Sequence, residues 1–129
     1  MLTRGAPYFI VADVDKASAY YERVLGFTVE YGAGTPAEFA IASRDGLPVM
    51  LRLASPGTHI VPNAEQGGTW DAFFWTTDVR ALLEELRSKG AMLAYDLIYQ
   101  GAYHMDEFAV RDLDGYVLGF GQARGASGA

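Results

Sequence analysis

The chain has 129 residues, of which 50% are hydrophobic and 13% aromatic, with no cysteine and a formal net charge of −6. This composition excludes intrinsic disorder, a disulfide framework and a thiolate metal site. The acidic balance argues against nucleic acid, which requires a basic face. No apolar run reaches the roughly 20 residues of a membrane span, and the first residues do not form a signal peptide. We therefore expect a single cytoplasmic domain, residues 1–129, that binds neither nucleic acid nor a membrane.

The first half of the chain has the pattern of a strand, a helix and three further strands. Residues 6–11 form an apolar run, and Pro7 is acceptable there because a first strand can lie at the edge of a sheet. Asp13 is a typical N-cap, and Gly26 ends the amphipathic helix that follows it. The three further strands are predicted at residues 27–31, 38–43 and 48–54, the last two joined by a hairpin link at residues 44–46.

The second half repeats this pattern after a linker. Residues 55–69 contain prolines and adjacent glycines without periodicity, which is typical of a linker or mobile loop. Asp78 and Gly90 then bound a second amphipathic helix, as Asp13 and Gly26 bound the first. The other predicted parts of this half are a strand at residues 70–76, a strand at 91–95, a hairpin at 107–122 and a frayed tail at 123–129.

The hairpin at residues 107–122 is the best-defined element of the sequence. Large apolar residues alternate with small or polar ones on both sides of an Asp-x-Asp-Gly turn, which is typical of two antiparallel strands. One face of the hairpin therefore carries bulky apolar side chains. The other face carries Gly119 and Gly121, which predicts open space above it.

The two halves together predict an α+β fold of two β-α-β-β-β modules, about residues 6–54 and about residues 70–122. Each module has only one helix and is too short to bury a stable core alone. We expect curved mixed sheets around a shared cleft, with one helix on the outer face of each sheet. A cleft of this kind is a typical place for a small ligand.

Three segments of the chain carry a family resemblance. They read PYFIVADVDKASAYYERVLGF, DVRALLEELRSKG and VRDLDGYVLGF. Together they resemble the vicinal oxygen chelate superfamily, which includes glyoxalases, extradiol dioxygenases, fosfomycin-resistance enzymes and bleomycin-binding proteins. The resemblance covers nearly the whole chain and implies the fold, whereas the chemistry does not follow from the fold.

Enzymes of this superfamily hold a divalent metal with His, Glu or Gln side chains from four strands. By the resemblance, the corresponding positions of this chain are Ala6, Arg52, Asp71 and Gly119. Only Asp71 could ligate through its side chain, and Arg52 would repel a cation. Neither histidine of the chain occupies one of these positions. The sequence therefore predicts no metal site and no cofactor.

The first strand resembles that of the bleomycin-binding branch, in which a proline lies early in the strand ahead of the helix-capping Asp. Pro7 and Asp13 fit this pattern. In that branch the proline is associated with exchange of the first strand between subunits, and the cleft binds a drug without altering it. The resemblance implies a homodimer with a small molecule as its ligand.

Strand parity adds candidate ligand-binding side chains, because alternate residues of a strand face the same side. Flat aromatic rings in the cleft could stack on a ligand, and charged groups could form charge-assisted hydrogen bonds with it. The alternative is that the rings are ordinary core and that the charges pair with one another. The predicted ligand-binding residues are Tyr8, Arg52, Asp71, Phe73, Trp75, Glu107 and Gly119, and no catalytic residue is predicted.

Three functions are compatible with these patterns. The favoured one is non-enzymatic binding of a small, largely apolar or aromatic compound with a polar substituent, with sequestration of an antibiotic or toxin as its biological role. A metal-dependent glyoxalase- or dioxygenase-like enzyme with displaced ligands is the second. The third is a scaffold dimer whose cleft is vestigial. Nucleophilic catalysis has no support, since no serine lies in a G-x-S-x-G pattern.

Overall fold

The computed structural model describes residues 1–125 of the chain. The predicted tail at residues 123–129 therefore lies partly outside the described residues, and Ala123 itself belongs to the last strand. The chain divides into two compact units, Met1–Val61 (unit 1) and the part from Pro62 onward (unit 2). Each unit contains one of the two predicted modules.

Both units have the same order of elements, a strand, a helix and three strands. Unit 1 contains β1 (Tyr8–Val11), α1 (Val14–Arg23), β2 (Thr28–Ala33), β3 (Phe39–Arg44) and β4 (Leu47–Leu53). Unit 2 contains a short 3-10 helix (Asn63–Gln66), β5 (Ala72–Trp75), α2 (Val79–Ser88), β6 (Met92–Gln100), β7 (Met105–Arg111) and β8 (Val117–Ala123).

The strand order is also the same in both units. The sheet of unit 1 has the order β1-β4-β3-β2, and the sheet of unit 2 has the order β5-β8-β7-β6. In each sheet the first strand is parallel to its neighbour and the other pairs are antiparallel. Each helix packs on the sheet of its own unit. The predicted α+β class with two β-α-β-β-β modules is confirmed.

The helices begin and end where the sequence predicts. The side chains of Asp13 and Asp78 each accept a hydrogen bond from the backbone N–H three residues later, at 2.9 and 3.0 Å, which satisfies a donor that the helix leaves free. Gly26 and Gly90 follow the helices with φ of 75° and 85°, a region that favours glycine. Among the described residues, no helix is long and apolar enough to cross a membrane.

The turn between β7 and β8 explains the Asp-x-Asp-Gly pattern. The Oδ1 atom of Asp112 accepts hydrogen bonds from the backbone N–H groups of Asp114 at 3.0 Å and Tyr116 at 2.9 Å. Gly115 has a φ of 89°, which a residue with a Cβ rarely adopts. These contacts fix the register of the hairpin, and with it the face on which each side chain lies.

The core of unit 2 lies between its sheet and α2. Phe108 is fully buried, and its ring lies 5.4 Å from that of Phe120, which in turn lies 5.7 Å from that of Phe74. Gln122, on the same side of β8 as Phe120, accepts a hydrogen bond from the N–H of Val79 at the start of α2. The apolar face of α2 that meets this cluster consists of Val79, Leu83 and Leu86.

β6 differs most from its prediction. The sequence predicts a strand at residues 91–95, whereas the strand runs over Met92–Gln100. Its pairing with β7 is irregular between Leu93 and Tyr95 and again between Tyr95 and Ile98. Such irregularities break period-two alternation, so the second part of the strand does not show in the sequence pattern.

Candidate functional site

The face of the unit 2 sheet opposite α2 carries most of the residues predicted to bind a ligand. Strand pairing arranges this face in two rows that run across β5, β8, β7 and β6. The rows are Phe73, Gly119, Ala109 and Tyr95, and next to it Trp75, Gly121, Glu107 and Ile98. We call this surface the aromatic face. The strand parity predicted for Phe73, Trp75, Glu107 and Gly119 is thus correct.

Glu107 is a charged residue buried in the middle of the aromatic face, with none of its surface exposed. Its Oε1 atom accepts hydrogen bonds from the hydroxyl groups of Tyr103 at 2.7 Å and Tyr95 at 3.1 Å. The Tyr95 oxygen accepts a further hydrogen bond from the indole Nε1–H of Trp70 at 2.7 Å. The Oε2 atom of Glu107 has no hydrogen-bond partner among residues 1–125.

A pocket of about 660 Å³ opens above this carboxylate. Its size is typical of sites that hold a small molecule. Five of the nine lining residues are aromatic or aliphatic, and the polar groups come from Glu107, the two tyrosine hydroxyls, Thr69, Asp96 and Gln100. Among the residues that line it are Trp70, Tyr95, Leu97, Ile98, Tyr103 and Glu107, and we call it the Glu107 pocket.

The surroundings of the two tyrosines raise their pKa values. Desolvation by burial, together with the negative charge of Glu107, raises the pKa of Tyr95 to about 12. Burial of the hydroxyl group and its hydrogen bond to Glu107 also raise the pKa of Tyr103 to about 12, although the residue is 45% exposed. Phenols with an ordinary pKa of about 10 are already neutral at pH 7, and these shifts extend the pH range over which both remain hydrogen-bond donors.

Asp71, a predicted ligand-binding residue, holds the backbone in place. Its two carboxylate oxygens accept hydrogen bonds from the backbone N–H groups of Asn63 at 2.9 Å and Val117 at 2.8 Å. The side chain of Asn63 donates a hydrogen bond to the carbonyl of Trp70 at 3.0 Å. Asp71 thus ties the segment before β5 to the start of β8, and this tie positions the Trp70 ring over the sheet.

The space above Gly119 and Gly121 is filled by the chain itself. A Cβ atom on Gly119 would lie 2.6 Å from side-chain atoms of both Trp70 and Phe73, and one on Gly121 would overlap Met105 and lie 2.7 Å from Phe73. The prediction of open space above these glycines is therefore wrong. The glycines permit a close approach of rings, and a ligand on this face would contact those rings rather than Gly119.

Phe73 and Trp75 lie on the aromatic face but outside the residues that line the pocket. The Phe73 ring lies 4.7 Å from the Trp70 ring and 5.2 Å from the Trp75 ring. Trp75 is 71% exposed. Phe73 therefore supports the Trp70 wall of the pocket, and a direct role of Trp75 in binding stays a prediction.

Tyr8 and Arg52 belong to unit 1. Tyr8 on β1 pairs with Met50, and Arg52 on β4 pairs with Ile10. Tyr8 and Arg52 therefore lie on the same face of the sheet, and both are exposed. Their contact with a ligand stays a prediction, as does the cleft expected between the two modules.

The residues at the family's metal positions do not fit a metal ion. Ala6 and Gly119 have no ligating side chain, and Arg52 carries a positive charge. Both oxygens of Asp71 are occupied by backbone N–H groups. Within residues 1–125, no group of three or more His, Cys, Asp or Glu side chains could hold a metal ion.

The sequence predicts Glu107 but misses Trp70, Tyr95 and Tyr103 as site residues. Trp70 precedes β5, and Tyr95 lies at the irregular part of β6. Tyr103 lies in the turn between β6 and β7. The one sequence signal that could have found the two tyrosines is the concentration of tyrosines at Tyr95, Tyr99 and Tyr103, next to a strand that carries a carboxylate.

Comparisons with known proteins define the class. Residues 6–120 match the family model described as the Glyoxalase/Bleomycin resistance protein/Dioxygenase superfamily, and the chain therefore belongs to this superfamily. A comparison with curated protein sequences finds no match.

Solved structures with the same fold share little sequence with this chain. TioX from Micromonospora sp. ML1 is 23% identical, with a TM-score of 0.74 over 94% of this chain and 98% of that one. The bleomycin-binding protein from Streptomyces verticillus, solved with copper(II)-bleomycin, is 21% identical, with a TM-score of 0.70 over 95% and 97%. A glyoxalase/bleomycin resistance protein/dioxygenase from Alicyclobacillus acidocaldarius is 14% identical, with a TM-score of 0.74 over 97% and 94%. These likenesses show the fold.

Proposed function

We propose that this protein binds a small, largely aromatic or apolar compound with a polar substituent in the Glu107 pocket and does not alter it chemically. The observation that carries the proposal is a pocket of about 660 Å³ that combines aromatic and aliphatic wall residues with one fully buried carboxylate, Glu107. Apolar walls supply affinity through area burial and ring contacts, while a few polar groups fix orientation.

Two features support binding without metal chemistry. The family's metal positions hold side chains that do not fit a cation, as described above. The Trp70 wall is fixed by its hydrogen bond to Tyr95 and its contact with Phe73, so the pocket is formed before a ligand arrives. A preformed site without a reactive centre is suited to hold a compound rather than to convert it.

We assign to the protein the role of sequestering an antibiotic or toxin. The support is its membership of the superfamily and its likeness in fold to a protein solved with copper(II)-bleomycin. Sequestration requires only affinity and an excess of protein over the compound, and both are compatible with a small single-site binder.

The first prediction tests the pocket with 2-naphthylmethanol, a flat neutral probe. Its binding should shift the indole N–H resonance of Trp70 in a saturable way and that of Trp75 much less, because only Trp70 lines the pocket. The chain contains just these two tryptophans, so the two resonances are assigned with a Trp75→Phe variant. Trp70→Ala should weaken binding by about 1–3 kcal/mol through lost burial and ring contact.

Calorimetry of the same titration with and without EDTA checks metal independence. Equal affinities are expected, and a loss of binding with EDTA would contradict the metal-free proposal. No saturable binding, or equal shifts of both indole resonances, would contradict the assignment of the pocket as the binding site.

We further propose that the chain acts as a homodimer. Each sheet has open edges, at β1 and β2 in unit 1 and at β5 and β6 in unit 2, and open edges favour pairing with a second chain. Light scattering at micromolar concentration should give about twice the chain mass of 14.0 kDa. A mass of one chain would contradict this proposal and leave the binding proposal unaffected.

A further inference from the structure

The hydrogen bonds around Glu107 have a fixed direction. An indole N–H can only donate, so the Tyr95 oxygen is the acceptor of the bond from Trp70. The single hydrogen of the Tyr95 hydroxyl is then free for Oε1 of Glu107, and the hydroxyl of Tyr103 donates to the same oxygen. Both neutral donors thus converge on Oε1, and Oε2 is left for another partner.

Oε2 of Glu107 is buried and has no hydrogen-bond partner among the described residues, although the carboxyl lines the pocket. A buried acceptor without a partner destabilises a protein, and more so when the group is charged. Buried charges in proteins are normally paired with an opposite charge. The other carboxylate that lines the pocket, Asp96, is exposed and already forms an ion pair with Arg87 at 2.7 Å. Oε2 therefore lacks a hydrogen-bond donor, and a cationic donor would satisfy it best.

We propose that Glu107 makes the pocket selective for compounds that carry an N–H cation, such as a protonated amine, on a flat apolar body. The cation donates to Oε2, and the apolar body lies against Trp70, Leu97 and Ile98. This inference rests on the proposed binding function and names the ligand class of the same pocket.

The walls of the pocket suit a cation as well as an apolar body. Trp70, Tyr95 and Tyr103 present aromatic rings around the carboxylate, and the faces of such rings attract cations. An anionic substituent would instead meet the negative charge of Glu107 at short range in a partly desolvated site, where repulsion is strong. The aromatic rings and the charge of Glu107 therefore both favour a cation over an anion.

The test compares three naphthalenes of similar shape, 2-naphthylmethylammonium, 2-naphthylmethanol and 2-naphthoate, by calorimetry with the full chain. The ammonium probe should bind roughly tenfold to a hundredfold more tightly than the alcohol, which corresponds to a hydrogen bond to a charged group. The carboxylate should bind most weakly. Glu107→Gln should remove this preference, so that the ammonium and alcohol probes bind with similar affinity.

Glu84→Gln is the matched control, because Glu84 is an exposed carboxylate on α2 and its loss changes the net charge equally. It should leave all three affinities within about twofold, since exposed charges are screened. Equal binding of the ammonium and alcohol probes to the unaltered protein overturns the inference and leaves the binding function standing. The same loss in Glu84→Gln as in Glu107→Gln also overturns it.

Two further outcomes are decisive. If none of the three probes binds, the proposed function fails together with this inference. If Glu107→Gln does not fold, the rank order of the three affinities for the unaltered protein decides whether the inference holds, because that measurement requires no substitution.

Discussion

Phe108→Ala is expected to lower the free energy of unfolding of unit 2 by about 3–5 kcal/mol. Phe108 is fully buried on β7, which has a neighbouring strand on both sides. Its ring contacts Phe120, which is held in turn by Phe74. Paired strands on both sides cannot move inward to close the cavity, so the loss of burial is added to the cost of an unfilled space.

Urea unfolding followed by tryptophan fluorescence measures this effect, because Trp70 and Trp75 both lie in unit 2. Phe108→Leu is the control, and it should cost clearly less than Phe108→Ala because leucine leaves a smaller cavity. A loss of under about 1 kcal/mol in Phe108→Ala would mean that the ring is not packed at the centre of this core.

The order of elements was predictable because its signals are local. Asp13 and Asp78 cap helices through contacts with backbone groups three residues away, and Gly26 and Gly90 end them with positive φ. The repetition of these signals in both halves led directly to two equal modules. The Asp112 turn likewise depends only on atoms within four residues, so the β7–β8 hairpin and the alternation of its two faces could be predicted.

The second part of β6 could not be predicted because its pairing is irregular. At each irregularity the side that a residue faces changes, and alternation along the chain is lost. Tyr95 lies between the two irregularities, and its position on the aromatic face follows from its pairing with Ala109 rather than from its neighbours in sequence.

The candidate site was half predictable for a related reason. Strand parity alone placed Glu107 on the correct face of β7, because that strand pairs regularly with β8. The hydrogen-bond network around it joins Trp70, Tyr95 and Tyr103 from three different segments. The periodicity of a single segment cannot predict hydrogen bonds that join three segments. Similarly, the sequence shows that Gly119 has no side chain to fill the space above it. It does not show that the rings of Trp70 and Phe73, from another part of the chain, fill that space.

The two parts of the binding proposal depend on different residues. Affinity for a flat body depends on the position of the Trp70 ring, which Asp71, Asn63 and Phe73 maintain through contacts outside the pocket. Selection of a cation depends on Glu107. A substitution that moves the Trp70 ring should therefore lower the affinity for all three probes alike. A substitution at Glu107 should instead change the rank order of the three affinities.

Gly119→Ala is the substitution that moves the ring, and it should lower the free energy of unfolding by about 1–3 kcal/mol. The new Cβ would lie 2.6 Å from atoms of Trp70 and Phe73, closer than carbon atoms can approach, so at least one ring must shift. Alanine also reduces the freedom of the unfolded chain, which stabilises by about 0.4–1 kcal/mol. The steric conflict is the larger effect, because the hydrogen bond from Trp70 to Tyr95 resists displacement of the indole.

The matched control is Gly101→Ala in the same unit, where a Cβ would meet only one ring atom of Tyr99 at 3.7 Å. It should stabilise the protein by about 0.4–1 kcal/mol, because only the reduced freedom of the unfolded chain changes. Urea unfolding gives both free energies, and the indole N–H resonance of Trp70 reports the hydrogen bond to Tyr95. In Gly119→Ala this resonance should move towards that of a solvent-exposed indole, and the three naphthalene probes should lose affinity together. An unchanged resonance with unchanged stability would show that the Trp70 ring does not lie over Gly119, and the pocket would lose the wall on which the proposed function depends.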